Sequence, residues 1–238
     1  MERKKGPSFA WTGEYFDNMN KRRTVCANDS VMLDWQVNVP DALRGHPVLV
    51  CCCMVPAQQL KCMEQCPDAS LVLSDSMDKW LRRQPELLDA VISRSHITMM
   101  NEDEAKEYAA ASTVLEAGEF LLSRGASYAV VKQGEYGATL IGRGEDGRTR
   151  IFRCPAYPLK TLVDPTGAGD TFLGALAGYL STLPEGLPSF EHVKRGIVYG
   201  TVAASFTCES FSADALLSMT PETFRKRLAE YTCLLYTS

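Results

Sequence analysis

The chain has 238 residues, of which 45% are hydrophobic and 23% charged, proportions that suit one globular domain with a substantial core. A formal net charge of −4 gives no electrostatic case for nucleic acid or an anionic membrane as partner. No apolar run approaches the ~18 residues of a membrane-spanning helix, and the charged start Met1-Glu2-Arg3-Lys4-Lys5 leads into no apolar signal core, so a cytoplasmic setting is expected.

The aromatic alternation from Phe9 through Trp11 to Tyr15, the polar stretch Asp17-Asn18-Met19-Asn20 and the β-like Thr24-Val25-Cys26-Ala27 predict a hairpin. From Val48 the pattern changes to alternating strands and helices. Strands are predicted over 48–54, 71–73, 96–100, 128–132, 138–141 and 150–153. Helices are predicted over 56–65, 78–83, 86–93 (with Pro85 at the start), 102–123 with a break near Ser112 and Thr113, 169–183 and 192–208. Gly134 to Gly137 reads as a turn, and 142–149 as a polar loop. Repeated strand-then-helix units predict an α/β domain, a mainly parallel sheet flanked by helices on both faces. Ligands in such sheets collect outside the C-terminal ends of the strands.

Nine cysteines are more than such a domain usually carries. Cys51, Cys52 and Cys53 lie in one apolar strand, where neighbours point to opposite faces, so they cannot easily share a metal or pair with each other. Cys62 and Cys66 stand four apart on a predicted helix. A zinc site with Cys51 or Cys53 is one reading. Free, reduced thiols acting as small hydrophobes is the other, and it is favoured.

The most informative stretch is Asp164-Pro165-Thr166-Gly167-Ala168-Gly169-Asp170-Thr171-Phe172. Glycines let backbone N–H groups converge on an anion, and the helix that follows adds its positive end. Asp170 puts a carboxylate beside that anion, which makes sense if it takes a proton from a hydroxyl attacking a phosphate. The plainer reading is a loop entering a helix with Asp170 or Thr171 as cap. Two other phosphate motifs fail on spelling: no G-x-x-x-x-G-K-[ST] occurs, and the dinucleotide pattern G-x-G-x-x-G breaks at Phe172.

The full string resembles the signature of the ribokinase-like carbohydrate kinases of the phosphofructokinase-B type, D-T-x-G-A-G-D-x-F, with Pro165 in place of the commoner threonine. The resemblance implies that Gly167, Ala168 and Gly169 form an anion hole for the transferred phosphate, that Asp170 is the catalytic base, and that Thr166 lies on the nucleotide side. Asn101 and Glu104 match the family's N-x-x-E element, which organises Mg2+ beside the triphosphate; a capped helix start explains the same spacing. The segment from Val131 to Gly137 is similar to the family's ATP-contacting strand and turn, which assigns Lys132, Gly134 and Gly137 to the nucleotide; an exposed lysine at a strand end is the ordinary alternative. The small-residue segment 199–205, with Ala204, corresponds to a helix lining the adenine pocket, and close helix packing explains it equally.

The resemblance runs from about Phe9 to Tyr231 and is most specific at 164–172. It implies a β lid remnant over 1–30, a ribokinase-like kinase domain over 31–232 and a non-native tail over 233–238, where Cys233-Leu234-Leu235-Tyr236-Thr237-Ser238 resembles a translated sequencing adapter. Family members carry a further sugar-binding block before the lid, so the chain is expected to be N-terminally incomplete, with weak or no sugar phosphorylation. The implied activity is ATP-dependent phosphorylation of a sugar or sugar-acid hydroxyl, with ATP and Mg2+ as cofactors and a homodimer through the lid. A nucleoside kinase of the same superfamily and a non-catalytic nucleotide or sugar sensor remain the alternatives.

Overall fold

The structure is a computed structural model that describes residues 5–16, 19, 22–28, 30–31, 35–144 and 146–236. The predicted hairpin forms: β1 (Trp11–Tyr15) pairs antiparallel with β2 (Arg22–Ala27), with Trp11 opposite Ala27. The expected turn residues Asp17, Asn18 and Asn20 lie outside the described residues.

A short helix α1 (Asp41–Arg44) precedes β3 (Val48–Cys51), α2 (Pro56–Gln65), β4 (Leu71–Asp75), α3 (Asp78–Arg83) and α4 (Pro85–Ser93). Then come β5 (Ile97–Asn101), α5 (Glu102–Ala109), α6 (Val114–Ser123), β6 (Tyr128–Lys132), β7 (Ala138–Arg143) and β8 (Thr149–Cys154). The chain continues through α7 (Ala168–Leu180), α8 (Phe190–Thr207), α9 (Asp214–Ser218) and α10 (Pro221–Tyr236).

The strands β3 to β8 form one six-stranded sheet whose spatial order is the chain order. The first four run parallel, each joined to the next through helices, and β7 and β8 are antiparallel. A single 3-10 turn at Gly134–Tyr136 joins β6 to β7, and so short a link can connect only antiparallel neighbours. Gly137 closes that turn at φ 92°, and a Cβ there would lie 1.9 Å from the Cys154 carbonyl oxygen. Only glycine therefore lets β8 pass at this point.

Alternation along the strands loads both faces of the sheet. Leu73, Ile97, Met99, Val130 and Leu140 pack under Leu173 and Leu176 of α7 and Val193 and Ile197 of α8. Met100, Ala129, Val131 and Ile141 face Leu88, Ile92, Ala117 and Leu121 on the opposite side. A smaller cluster joins Cys51 and Val72 to Met63 of α2 and Val91 of α4. Gly200 brings α8 close to α7, since a Cβ there would sit 2.9 Å from the Phe172 carbonyl oxygen.

Most differences from expectation fall at element ends. The strand predicted over 48–54 stops at Cys51, and the one predicted over 71–73 runs on through Ser74 to Asp75. The break near Ser112 and Thr113 becomes a full helix restart, with Thr113 and Glu116 forming a capping box. The helix α10 had no sequence expectation; it opens with Pro221 and with reciprocal Thr220–Thr223 hydrogen bonds of 2.9 and 3.1 Å. Among the described residues, no helix is long and apolar enough to cross a membrane.

Candidate active site

The four parallel strands end at Cys51, Asp75, Asn101 and Lys132, so their C-terminal residues line one edge of the sheet. The loop before α7 arrives at the same edge. Gly167 is the N-cap of α7 at φ 84° and ψ −5°, a left-handed conformation that suits glycine. Asp164 steadies the approach by accepting the Thr166 N–H at 2.9 Å, and the Val163 N–H donates to the Cys208 carbonyl at 2.8 Å. Thr207 supports the loop from α8: its hydroxyl bonds that of Thr171 at 2.8 Å.

The N–H of Ala168 donates to the Pro165 carbonyl at 3.1 Å, and that of Thr171 to the Gly167 carbonyl at 2.9 Å. The N–H groups of Gly169 and Asp170 have no carbonyl partner among the described residues, as expected for the first turn of a helix. They are the donors this loop offers to an anion. The Asp170 side chain is exposed at the same spot.

Lys132 projects from the end of β6 toward this turn. A Cβ on Gly169 would lie 3.2 Å from the Lys132 Nζ. The ammonium forms an ion pair with Asp75, whose side chain is 5% exposed against 20% for Lys132. Burial works against charge on both groups. The carboxylates of Asp75, Glu104 and Asp170 outweigh it at the ammonium and hold Lys132 protonated, above its ordinary range. Asp75 also accepts the Ser76 N–H at 2.9 Å.

Asn101 and Glu104 cap α5 reciprocally. The Asn101 Oδ1 accepts the Glu104 N–H at 2.8 Å, and the Glu104 Oε2 accepts the Asn101 N–H at 3.1 Å. Glu104 is buried. The helix-start explanation thus holds in full, and the same carboxylate faces Lys132 electrostatically. Among the described residues, no group of three or more His, Cys, Asp or Glu side chains has an arrangement able to hold a metal. Magnesium needs fewer protein ligands when it travels with phosphates. Three carboxylates around one ammonium leave the negative surplus that such an ion favours, so the residues present fit it.

The structure gathers Gly167, Ala168, Gly169, Asp170, Lys132, Asn101 and Glu104 at one sheet edge. Thr166 joins them and bonds the Tyr15 hydroxyl of β1 at 2.9 Å, linking the hairpin to the loop. Gly134 lies in the exposed turn after β6, and Gly137 has the packing role described above. Ala204 lies on α8, one turn before Cys208, and packs against the main core cluster. At the end of α8, Thr207 and the C-cap residue Cys208 bond to Thr171 and to the Val163 N–H.

Two site residues escaped the sequence reading. Asp75 could have been found from a polar Ser-Asp pair ending an apolar strand, the position where α/β sheets carry ligands. Gln59 had no such signal. It is buried on α2, and its side-chain amide donates to the carbonyls of Cys51, Cys52 and Asp75 at 3.2, 2.9 and 3.0 Å, tying two strand ends together.

The sequence profile of the pfkB family carbohydrate kinases matches residues 45–219. A cytidine kinase of Thermococcus kodakarensis is 30% identical over 167 residues, 68% of this chain and 56% of that enzyme. The chain therefore spans little more than half the length of this curated relative. The fold is that of a ribokinase from Thermotoga maritima, with a TM-score of 0.68 and 20% identity over 95% of this chain and 70% of that one. It is equally that of a nucleoside kinase from Methanocaldococcus jannaschii, described as an archaeal member of the ribokinase family, with a TM-score of 0.69 and 17% identity over the same shares. The chain belongs to the pfkB family of carbohydrate kinases.

Proposed function

We propose that this site transfers the γ-phosphate of ATP to a sugar hydroxyl, borne either by a free sugar or sugar acid or by a nucleoside. The observation that carries the reading is the convergence at one edge of the sheet. The unpartnered N–H groups of Gly169 and Asp170, the Lys132 ammonium and the exposed Asp170 carboxylate all meet there.

Each group has a role that follows from its charge. The backbone from Gly167 to Asp170 holds the terminal phosphate oxygens through fixed dipoles that need no reorganisation when charge builds up. Lys132, ion-paired with Asp75, places its ammonium next to Gly169. Asp170 takes the proton from the acceptor hydroxyl as its oxygen attacks phosphorus. Magnesium, when bound with the nucleotide, supplies charge neutralisation at the phosphates, and Glu104 with Asn101 are the residues that would hold it. Gly134 and Gly137 shape the turn on the nucleotide side, and Ala204 belongs to the helix that would flank the base. Tyr15, bonded to Thr166, would bring the hairpin over the acceptor, and two such hairpins would form the dimer contact. A cytoplasmic location supplies the ATP.

The 30% identity to a cytidine kinase favours the nucleoside acceptor as the second reading. A panel of nucleosides, pentoses, hexoses and sugar acids, each assayed for acceptor-dependent ADP release from Mg-ATP, separates the readings. ADP release with at least one hydroxyl acceptor is expected. A chain that shows no calorimetric affinity for Mg-ATP would overturn the proposal outright, and ATP binding without transfer to any acceptor would favour a sensor.

A further inference from the structure

Lys132 is a long, flexible arm held by its backbone at one end and by Asp75 at the other. Alternation along the strands sends Leu73 and Asp75 of β4, and Val130 and Lys132 of β6, to the face covered by α7. β5 runs between β4 and β6, so those two strands lie about 10 Å apart and the lysine crosses β5 to reach the carboxylate. Asp75 itself cannot follow the arm. Its Oδ1 accepts the Ser76 N–H at 2.9 Å, and its backbone carbonyl accepts the Gln59 amide at 3.0 Å. Gln59 is 1% exposed. The fixed acid thus sets where the ammonium sits, and that place is the mouth of the turn before α7, where a Cβ on Gly169 would lie 3.2 Å from Nζ.

We propose that Asp75 is a positioning residue for phosphoryl transfer, holding the Lys132 ammonium beside the Gly169 turn and off the Asp170 carboxylate. The inference rests on the phosphate-transfer reading of this site. A site that had only to attract a triphosphate would not bury an acid against its lysine, since the acid repels the ligand and engages the cation. The acid is useful if the place of the cation matters more than its free charge. Burial opposes charge on Lys132, and Asp75 is the foremost of the carboxylates that outweigh it; Glu104 and Asp170 act in the same sense. Released from Asp75, the ammonium would turn to one of those two. Pairing with Asp170 would occupy the group that takes the proton of the acceptor. An ammonium has three N–H donors and the Asp75 bond takes one, so Lys132 can meet a phosphate oxygen without leaving Asp75.

Loss of Asp75 should therefore act in opposite directions on binding and on transfer. Asp75→Asn keeps the shape of the side chain and its bond from the Ser76 N–H. It removes a like charge from beside the triphosphate and leaves the ammonium free to follow it, so Mg-ATP should bind at least as tightly as in the parent. Transfer gains only from donors fixed where charge develops in the transition state, and a misplacement of about 1 Å can cost on the order of 100-fold.

Calorimetric Kd for Mg-ATP and the rate of transfer, measured on the whole chain for the parent, Asp75→Asn, Lys132→Met and the double variant, test this. Asp75→Asn should slow transfer by about 10–100-fold with no rise in Kd. The double variant should transfer no more slowly than Lys132→Met, because Asp75 then has no ammonium to place. Transfer by Asp75→Asn at the parental rate, a Kd that rises as transfer falls, or a double variant slower than Lys132→Met would overturn the proposal. A further readout needs neither nucleotide nor acceptor. In chain made with isotope-labelled lysine, the two Hε protons of Lys132, identified by their loss in Lys132→Met, should give distinct NMR signals in the parent and merge in Asp75→Asn. Hε signals already merged in the parent would overturn the positioning whatever the activity. Distinct signals in a parent without affinity for Mg-ATP would instead overturn the phosphate-transfer reading, and the role of Asp75 in transfer with it.

Discussion

The ion pair between Asp75 and Lys132 makes the sharpest prediction about the stability of this site. Replacing Lys132 by Met keeps the apolar stem and removes the ammonium. Asp75, 5% exposed, is left with the Ser76 N–H as its remaining hydrogen-bond donor. Breaking a buried pair from one side typically costs about 3–5 kcal/mol. The partial exposure of Lys132 places this case at the low end, about 3 kcal/mol. For a domain of this size each kcal/mol shifts Tm by about 2–4 °C, so Tm at pH 7 should fall by about 6–12 °C.

The pH dependence has a definite sign. With Lys132 gone, burial raises the folded-state pKa of Asp75 above its unfolded value of about 3.9. A group raised in this way costs nothing while protonated in both states. Its penalty appears above the unfolded value and grows as pH rises toward the folded one. The deficit of Lys132→Met should therefore shrink between pH 7 and pH 5, and adding Asp75→Asn should recover most of it at pH 7. Thermal melts followed by circular dichroism at both pH values measure this. A Tm within 2 °C of the parent at pH 7, or a deficit equal at both pH values, would refute the reasoning.

Three further outcomes follow from the packing and the caps. Gly137→Ala forces a Cβ to within 1.9 Å of the Cys154 carbonyl oxygen at a left-handed φ, so it should cost on the order of 3 kcal/mol and loosen β7 from β8, read as faster amide exchange in both strands. Gln59→Leu strips the carbonyls of Cys51, Cys52 and Asp75 of their shared donor and should lower stability by about 2–3 kcal/mol in denaturant melts. Asn101→Ala removes the cap of α5 and should cost about 1 kcal/mol equally in EDTA and in magnesium, while any loss of magnesium-dependent nucleotide affinity would appear only in calorimetry.

Much of this arrangement was legible in the sequence because local signals and fold agree there. The alternation of apolar strands with helices marked β3 to β8, with ends off by up to three residues, and the spelling of 164–172 placed the glycine turn that opens α7 and the acid that follows it. What stayed hidden depends on contacts between distant segments. Lys132 at the end of a strand reads as solvated until β4 brings Asp75 beside it, 57 positions away in the chain. Gln59 reads as a polar helix residue until two strand ends present three carbonyls to it. Gly137 reads as a turn former, whereas the nearest constraint on it is the backbone of β8. The helix α10 was legible and was missed: Phe224, Leu228, Tyr231 and Leu235 recur at helical spacing and pack on the main core, and the buried Tyr231 bonds the Cys154 sulfur at 3.2 Å.

The central claim is that Asp170 is the base of a phosphoryl-transfer site, and the rate of γ-phosphate transfer in Asp170→Asn, relative to the parent and with bound ATP measured in parallel, tests it most directly. Transfer should fall by about 10²–10⁴-fold, while ATP binds as well or somewhat more tightly because a like charge has left the phosphate site. Transfer at the parental rate, or loss of ATP binding together with transfer, would contradict the assignment.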